Sequence, residues 1–396
     1  MRKYLELFKE GFPSDMSDRT AIENWPYVGH DANGGVVYTV VPKPAVSGPY
    51  VTFTAEEDNS SIGLAKLSTN QTLEYSIDAS TWNTFDTTTN ISLNNGNKVY
   101  IRGILSEDNT TSDYTQFKMS GKIAASGNCN ALWNYQDLNA PLKACCGLSM
   151  FDYCTSLTTA PELPATTLAE RCYCCMFYEC TSLTTAPELP ATTLAEYCYV
   201  SMFYGCTNLT TAPELPAMEL ANNCYTMMFS DCTSLTTAPE LPATTLADNC
   251  YSYMLRDCTS LTTAPELPAT TLADNCYRGM FQNCTSLTTA PALPATVLAD
   301  SCYGNMFKDC TSITTAPELP ATNLVYNCYG EMFNGCSNLN YIACLVIDES
   351  AVYDYTTNWV KDVSSTGTFI KHPNMKKWSI SNSGIPSGWT VVDAEL

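Results

Sequence analysis

Residues 180–205 read CTSLTTAPELPATTLAEYCYVSMFYG, and this 26-residue unit recurs with little change from about Cys146 to Cys336. Its first cysteine returns at Cys154, Cys180, Cys206, Cys232, Cys258, Cys284, Cys310 and Cys336. A second column runs Cys146, Cys172, Cys198, Cys224, Cys250, Cys276, Cys302 and Cys328. A fixed period between roughly 20 and 50 residues marks a solenoid, a propeller or an array. This unit is too short for a four-stranded blade, and the prolines of APELPA would break a helix pair. The unit therefore predicts a strand around LTTAPEL, kept short because proline supplies no ladder donor. A turn follows, then a helical or 3₁₀ return segment through LAEYCYVSMF. Within that segment Leu194, Cys198, Tyr199 and Met202 fall at i, i+4, i+5 and i+8, an apolar stripe of helical spacing.

Stacked repeats would place equivalent residues about 4.7–4.9 Å apart on a sheet face. Four columns are then candidates for the core: Leu157 to Ile313, Met176 to Met332, Phe177 to Phe333 (with Leu255 as the exception) and Tyr173 to Tyr329. Such a stripe could line a ligand box, but core packing is the simpler reading. The cysteine columns have three readings. Zinc would want paired short spacings, whereas these alternate 8 and 18. Vertical disulfides fall within the allowed Cα separation. A small buried hydrophobe closing each turn explains every copy, and is preferred. The irregular group Cys145, Cys146, Cys172, Cys174 and Cys175 is the one place where a metal would be sought.

The frame GC(T/S)(S/N)L, a short strand, LP and a segment closing on MF resembles the BspA-type leucine-rich repeats of gut bacterial surface proteins and their phages. The resemblance covers about half of the chain, and the unit is a few residues longer than the usual frame. It implies a repeat solenoid that displays a surface rather than an active site.

Two features stand apart from the core columns. Glu162, Glu188, Glu214, Glu240, Glu266 and Glu318 align, with Ala292 breaking the series, and residues 141–344 carry a net charge of −13. Aligned like charges repel. The preferred reading is a solvated face that keeps the rod apart from its neighbours, and the sharper one is weak divalent-cation binding. Second, the pairs flanking each CY and following each MF drift from copy to copy while TTAPELPATTLA is almost fixed. Solvent exposure permits such drift, and so does a face that selects a partner. The candidate face comprises Arg171, Tyr178, Tyr197, Tyr253, Arg256, Arg278, Lys308 and Tyr326.

The flanks differ in character. Residues 1–44 hold AIENWPYVGHDANGGVVYTVVPKP, read as an extended segment, a Gly-Gly turn, a strand and a Pro-rich linker. Trp25, Tyr27, Val36, Val37 and Tyr38 are apolar enough to want burial, so this segment is the candidate anchor. It resembles the leader of structural proteins of phages that infect Bacteroides, including crAss-like phages, which implies a fibre-like virion protein that assembles as a homotrimer. Residues 45–126 alternate apolar and polar in YVTFTA, LEYSID, ISL-NNGN-KVYIRGI and YTQFKM. They predict a small β-sandwich of about six or seven strands, with Asn-Gly as a hairpin turn. Asn128 to Leu142 is expected to cap the repeat region (127–345) at one end and residues 346–396 at the other.

The chain of 396 residues has a formal net charge of −21, with 19 Lys+Arg against 40 Asp+Glu. That balance argues against nucleic acid, whose phosphates demand clustered cations. The longest apolar run, Ile342 to Ile347, is far short of a membrane span. The N-terminus shows no signal-peptide h-region, so the expectation is no Sec export and reduced thiols. No G-x-S-x-G, H-E-x-x-H, P-loop or G-x-G-x-x-G occurs, and His30 and His372 are isolated. No cofactor is expected. The reading is a multi-domain, non-enzymatic protein in which an N-terminal anchor, a β-sandwich and a leucine-rich-repeat solenoid follow one another. Its expected place is the virion of a gut phage, as a head- or tail-fibre-like protein that binds a host-surface glycan or protein. The alternative is a bacterial cell-surface adhesin.

Overall fold

The computed structural model describes residues 27–30, 36–38, 48–347, 355–375 and 378–395. It divides into Met1–Gly48 and Pro49–Leu396. In the first unit, β1 (Tyr27–His30) pairs antiparallel with β2 (Val36–Tyr38), opposing Tyr27 to Tyr38 and His30 to Val36. The expected anchor thus contains a strand pair. Trp25 lies outside the described residues.

The second unit opens with two sheets. Their strands are β3 (Val51–Ala55), β4 (Ser60–Lys66), β5 (Gln71–Ser76), β6 (Asn83–Thr84), β7 (Asn90–Leu93), β8 (Lys98–Leu105), β9 (Gln116–Ser120) and β10 (Ile123–Ser126). Strict alternation in β8 buries Val99, Ile101 and Leu105 and turns Lys98 outward, as a strand with one covered face requires. β4 lies between β7 and β9, while β8 lies between β3 and β5. The sheets meet through Phe53 on β3 and Phe117 on β9, whose rings are 5.5 Å apart. The hairpin expected at Asn-Gly is corrected here. Gly96 does take a left-handed φ of 81°, but β7 and β8 belong to different sheets. Leu93 and Val99 are both buried, so the chain reverses by stepping between layers, and Gly96 N–H donates to Ala55 C=O at 2.8 Å.

The repeats form stacked coils with no helix in the return segment; the one described α-helix is α1 (Ala131–Asn134). The helical expectation failed because eight residues cannot separate a period of 3.6 from a period of four. Along each coil apolar pairs point in and alternate with pairs that are mostly less buried: Cys224 and Tyr225, Met228 and Phe229, then Cys232 are buried, and of the intervening residues Ser230 is buried too. Every fourth residue is left-handed, as at Asn223, Met227 and Asp231, or Asn249, Tyr253 and Asp257. Asn, Asp and Gly tolerate that region best, and they fill about half of these positions from Cys145 to Gly335, and most of them from Gly205 onward. The result is a full account of N–H groups from 223 to 232. Those of Asn223, Tyr225, Met227, Phe229 and Asp231 donate to the C=O groups of Asp248, Cys250, Ser252, Met254 and Arg256 in the next coil, all at 2.9–3.0 Å. The intervening five donate back three residues within the coil, which closes a turn each time.

The LTTAPEL strand is likewise reduced. Only β11 (Leu157–Thr159) is a strand, parallel to β10 and thereby part of the six-stranded sheet β11-β10-β3-β8-β5-β6. Later coils keep isolated parallel bridges, such as Thr211 to Thr237 and Thr245 to Thr271, because the prolines interrupt the donor series.

Inside the stack, the Tyr column runs from Tyr173 to Tyr329 with ring centroids 5.8–6.2 Å apart. These offset stacks end on tryptophan at both sides: Trp133 of α1 lies 5.9 Å from Tyr173, and Trp359 lies 6.1 Å from Tyr329. On the strand side the last coils form a parallel sheet of β12 (Tyr341–Cys344), β13 (Thr368–Lys371) and β14 (Thr390–Asp393), with β12 bridged to the preceding repeat at Thr315 and Leu319. The cysteines are free thiols, and all but Cys174 and Cys175 are buried. From Cys180 to Cys336 the first column donates S–H to the Phe or Leu carbonyl 29 residues earlier at 2.9–3.2 Å. Burial raises these thiols well above the ordinary range.

Two outcomes follow. Asn249→Val, which forces a β-branched residue into the left-handed region, should cost about 1–2 kcal/mol in urea unfolding, whereas Asn249→Gly should stay within about 0.5. Trp359→Ala should cost about 3–5 kcal/mol by the same measurement, because it uncovers the last ring of the tyrosine column.

Candidate binding edge of the repeat stack

The outward pairs of the return segment line up along one edge, and their ladder position explains why they vary. Their backbone is fixed by hydrogen bonds, while their side chains, apart from small buried ones such as Ser201, Ser230, Ser252 and Ser301, leave the core. The structure distributes the candidate residues among three rows of this edge.

The row after Met-Phe starts with an aromatic group. Tyr178 stacks on Tyr204 at 4.6 Å with the rings 3° from parallel, and Tyr153 meets Tyr178 at 5.6 Å and 57°. Tyr153 is exposed and the other two are half-buried. The Tyr204 hydroxyl bonds to the Asp231 carboxylate, which pushes the phenol up. Farther along, Arg256 pairs with Asp257 at 2.7 Å and Lys308 with Glu331 at 2.5 Å; that lysine holds the Glu331 carboxyl below its usual range.

In the row before Cys-Tyr, the Arg171 guanidinium lies 4.2 Å above the Tyr197 ring and 3.2 Å from Glu170. Such a cation–ring contact at an exposed site is worth about 0.5–1 kcal/mol. Tyr326 sits in the last copy of this row, before Cys328-Tyr329, and is 63% exposed. The middle row holds Tyr253, whose ring covers Gly279 of the next coil: a Cβ there would come within 2.2 Å of it. Arg278 reaches Asn275 at 3.3 Å. The eight candidates therefore share an edge; Arg171 and Tyr197 meet through their side chains, and Tyr253 is joined to Arg278 and Arg256 through backbone hydrogen bonds. Tyr153 and Tyr204 escaped the sequence reading, although Tyr204 follows Met-Phe just as Tyr178 does.

The other sequence candidates are simpler. The six aligned glutamates are exposed, beside shallow clefts between successive APELP segments, such as one of 450 Å³ lined by Pro265, Glu266, Pro291 and Ala292. Among the described residues no group of three or more His, Cys, Asp or Glu side chains is placed to hold a metal ion. The cysteine group is split accordingly, with Cys145, Cys146 and Cys172 buried and Cys174 and Cys175 half-buried. Among the described residues no helix is long and apolar enough to cross a membrane. No protein-family model, no curated protein and no solved structure matches the chain.

Asp152 is the strained carboxylate of the edge. Half-buried at the position that Asn334 occupies seven coils later, it is pushed up to about 6, first by desolvation and then by the charge of Glu179. A carboxyl raised in the fold favours its protonated form, so stability falls as pH rises from the ordinary value of 3.8 through about 6. Asp152→Asn should therefore raise the melting temperature at pH 8 and leave it unchanged at pH 3. After discounting for solvent screening, the gain at pH 8 should be on the order of 1 kcal/mol.

Proposed function

We propose that this chain is a non-enzymatic attachment protein whose residues 127–345 form a leucine-rich-repeat solenoid of BspA type. The observation that carries the reading is the contrast between rows. Cys, Tyr, Met and Phe recur in the core of each coil, while the three outward rows change in nearly every copy and place tyrosine, arginine and lysine on one edge. A scaffold that repeats inside and differs outside presents many distinct side chains at fixed spacing to an extended partner. Tyr153, Tyr178 and Tyr204 offer aromatic faces and hydroxyls of the kind that suit a host-surface glycan, and Arg171, Arg256 and Lys308 suit an acidic group on such a glycan or on a protein. In this reading residues 1–44 attach the chain to a phage virion as part of a homotrimeric head- or tail-fibre-like protein, and residues 45–126 act as a spacer.

The test combines attachment and binding. Deleting residues 1–44 should leave a folded protein that is absent from purified particles, and Tyr178→Ala with Tyr204→Ala should lower binding of the full chain to host cells about tenfold or more. Copurification of the truncated protein at wild-type stoichiometry would place the anchor elsewhere. Recovery of the native protein on the cell surface and not in particles would replace the virion reading by a surface adhesin.

A further inference from the structure

The vicinal thiols Cys174 and Cys175 are the two of the protein's 21 cysteines that are not buried. Their sulfurs lie 3.7 Å apart, in hydrogen-bonding contact. The ladder holds the pair from both sides: Ser149 N–H donates to Cys174 C=O at 2.9 Å, and Cys175 N–H donates to Val200 C=O at 2.8 Å. Cys175 takes the left-handed conformation of its row, with a φ of 53°. The neighbouring coils carry Val200-Ser201 and, farther on, Ser252-Tyr253 at these two positions, so the coil needs neither cysteine for its own packing.

From this geometry we infer that Cys174 and Cys175 form a bidentate dithiol site for a soft, thiophilic centre of the trivalent arsenic type, one that two sulfurs can satisfy. The sulfur separation suits it. Two thiolates at about 2.3 Å from a common pyramidal centre, with an angle of about 90–100° between the bonds, stand roughly 3.3–3.5 Å apart, so a chelate closes with a movement of a few tenths of an ångström. A direct disulfide suits the pair less well. Adjacent residues joined by a trans peptide have Cα atoms about 3.8 Å apart, below the roughly 4.4–6.8 Å that disulfides prefer. The absence of any cluster of three or more metal-ligating side chains among the described residues disfavours ions that require four protein ligands. The contact between the thiols also holds Cys175 below the ordinary thiol range while it pushes Cys174 up, and the Arg171 guanidinium favours the Cys174 thiolate.

With an arylarsenoxide the chemistry balances without an oxidant. Two As–S bonds form, the As–O bond breaks, and the oxygen leaves as water with both thiol protons. The test adds one equivalent of phenylarsine oxide to the folded full chain and reads the intact mass after exchange against a monothiol. One retained adduct per chain is expected, and a small-molecule dithiol should strip it. Cys174→Ser and Cys175→Ser should each weaken retention about a hundredfold, the loss expected when a chelate becomes a single bond. Serine already occupies the equivalent positions Ser252 and Ser201, so both variants are expected to fold, and unchanged near-ultraviolet circular dichroism checks this. No adduct on the native chain, or equal retention by the double serine variant, overturns the site.

Discussion

A left-handed residue at every fourth position is the constraint on which the coil stack depends. For a residue with a Cβ that conformation costs about 1–2 kcal/mol, so it persists only where something offsets it. Here it turns alternate N–H groups along the stack. Asn249, Tyr253 and Asp257 each donate to the following coil, and each such bond contributes about 0.5–1.5 kcal/mol net. The greater effect is that no N–H in the segment from 223 to 232 is left unpaired, because an unpaired buried donor would cost about 1–3 kcal/mol. Asparagine, aspartate and glycine lower the conformational cost, and the intervening turns leave the pairs Cys-Tyr and Met-Phe pointing inward.

This also explains how much of the fold was legible. The period, the identity of the core columns and the strands at Val51–Ala55 and Lys98–Leu105 could be read directly, since each rests on recurrence or on strict alternation. The return segment could not be read from its apolar stripe, because Cys198, Tyr199 and Met202 fit a helix and a series of four-residue turns equally well. The discriminating signal lay in the polar positions. Asn223, Asn249, Asn275 and Asn327 recur one coil apart or at multiples of it, and Asp231, Asp257 and Asp309 do the same. Such residues are weak helix formers but good left-handed ones. Positions that looked merely variable were restricted in conformation. The Asn-Gly turn failed for a different reason: a turn sequence specifies a reversal of the chain, not which sheet receives the next strand.

The candidate edge was legible as a set of rows and not as contacts. Sequence spacing assigns Tyr178 and Arg256 to one row, but whether neighbours stack, pair or stand apart depends on residues one coil away. Arg171 is held over Tyr197 because the two are 26 residues apart and share a row. Tyr253 finds room because its neighbour in the next coil is glycine. The variable side chains therefore order one another along the stack, and a substitution at one coil alters the surface presented by the next.

The coil ladder itself is not uniform. At the start of the stack Gly147, Tyr173 and Tyr199 are left-handed, and the N–H groups of Tyr173 and Tyr199 donate backward, to Cys146 and Cys172. From Tyr225 onward the tyrosine N–H donates forward, as Tyr225 does to Cys250. The direction must change somewhere, and it changes between Tyr199 and Tyr225. Elsewhere from Cys145 to Asn334 five backbone bonds join the return segments of successive coils; across this junction four do, through Tyr197, Ser201, Phe203 and Gly205. The side-chain columns run across it without a break, with Tyr199 and Tyr225 stacked at 5.8 Å. Apolar packing is non-directional and tolerates a reversed peptide, whereas a hydrogen-bond ladder does not. The core therefore joins into one stack two blocks that differ in the orientation of one peptide per coil, the one that carries the tyrosine N–H, and the missing rung marks where they meet.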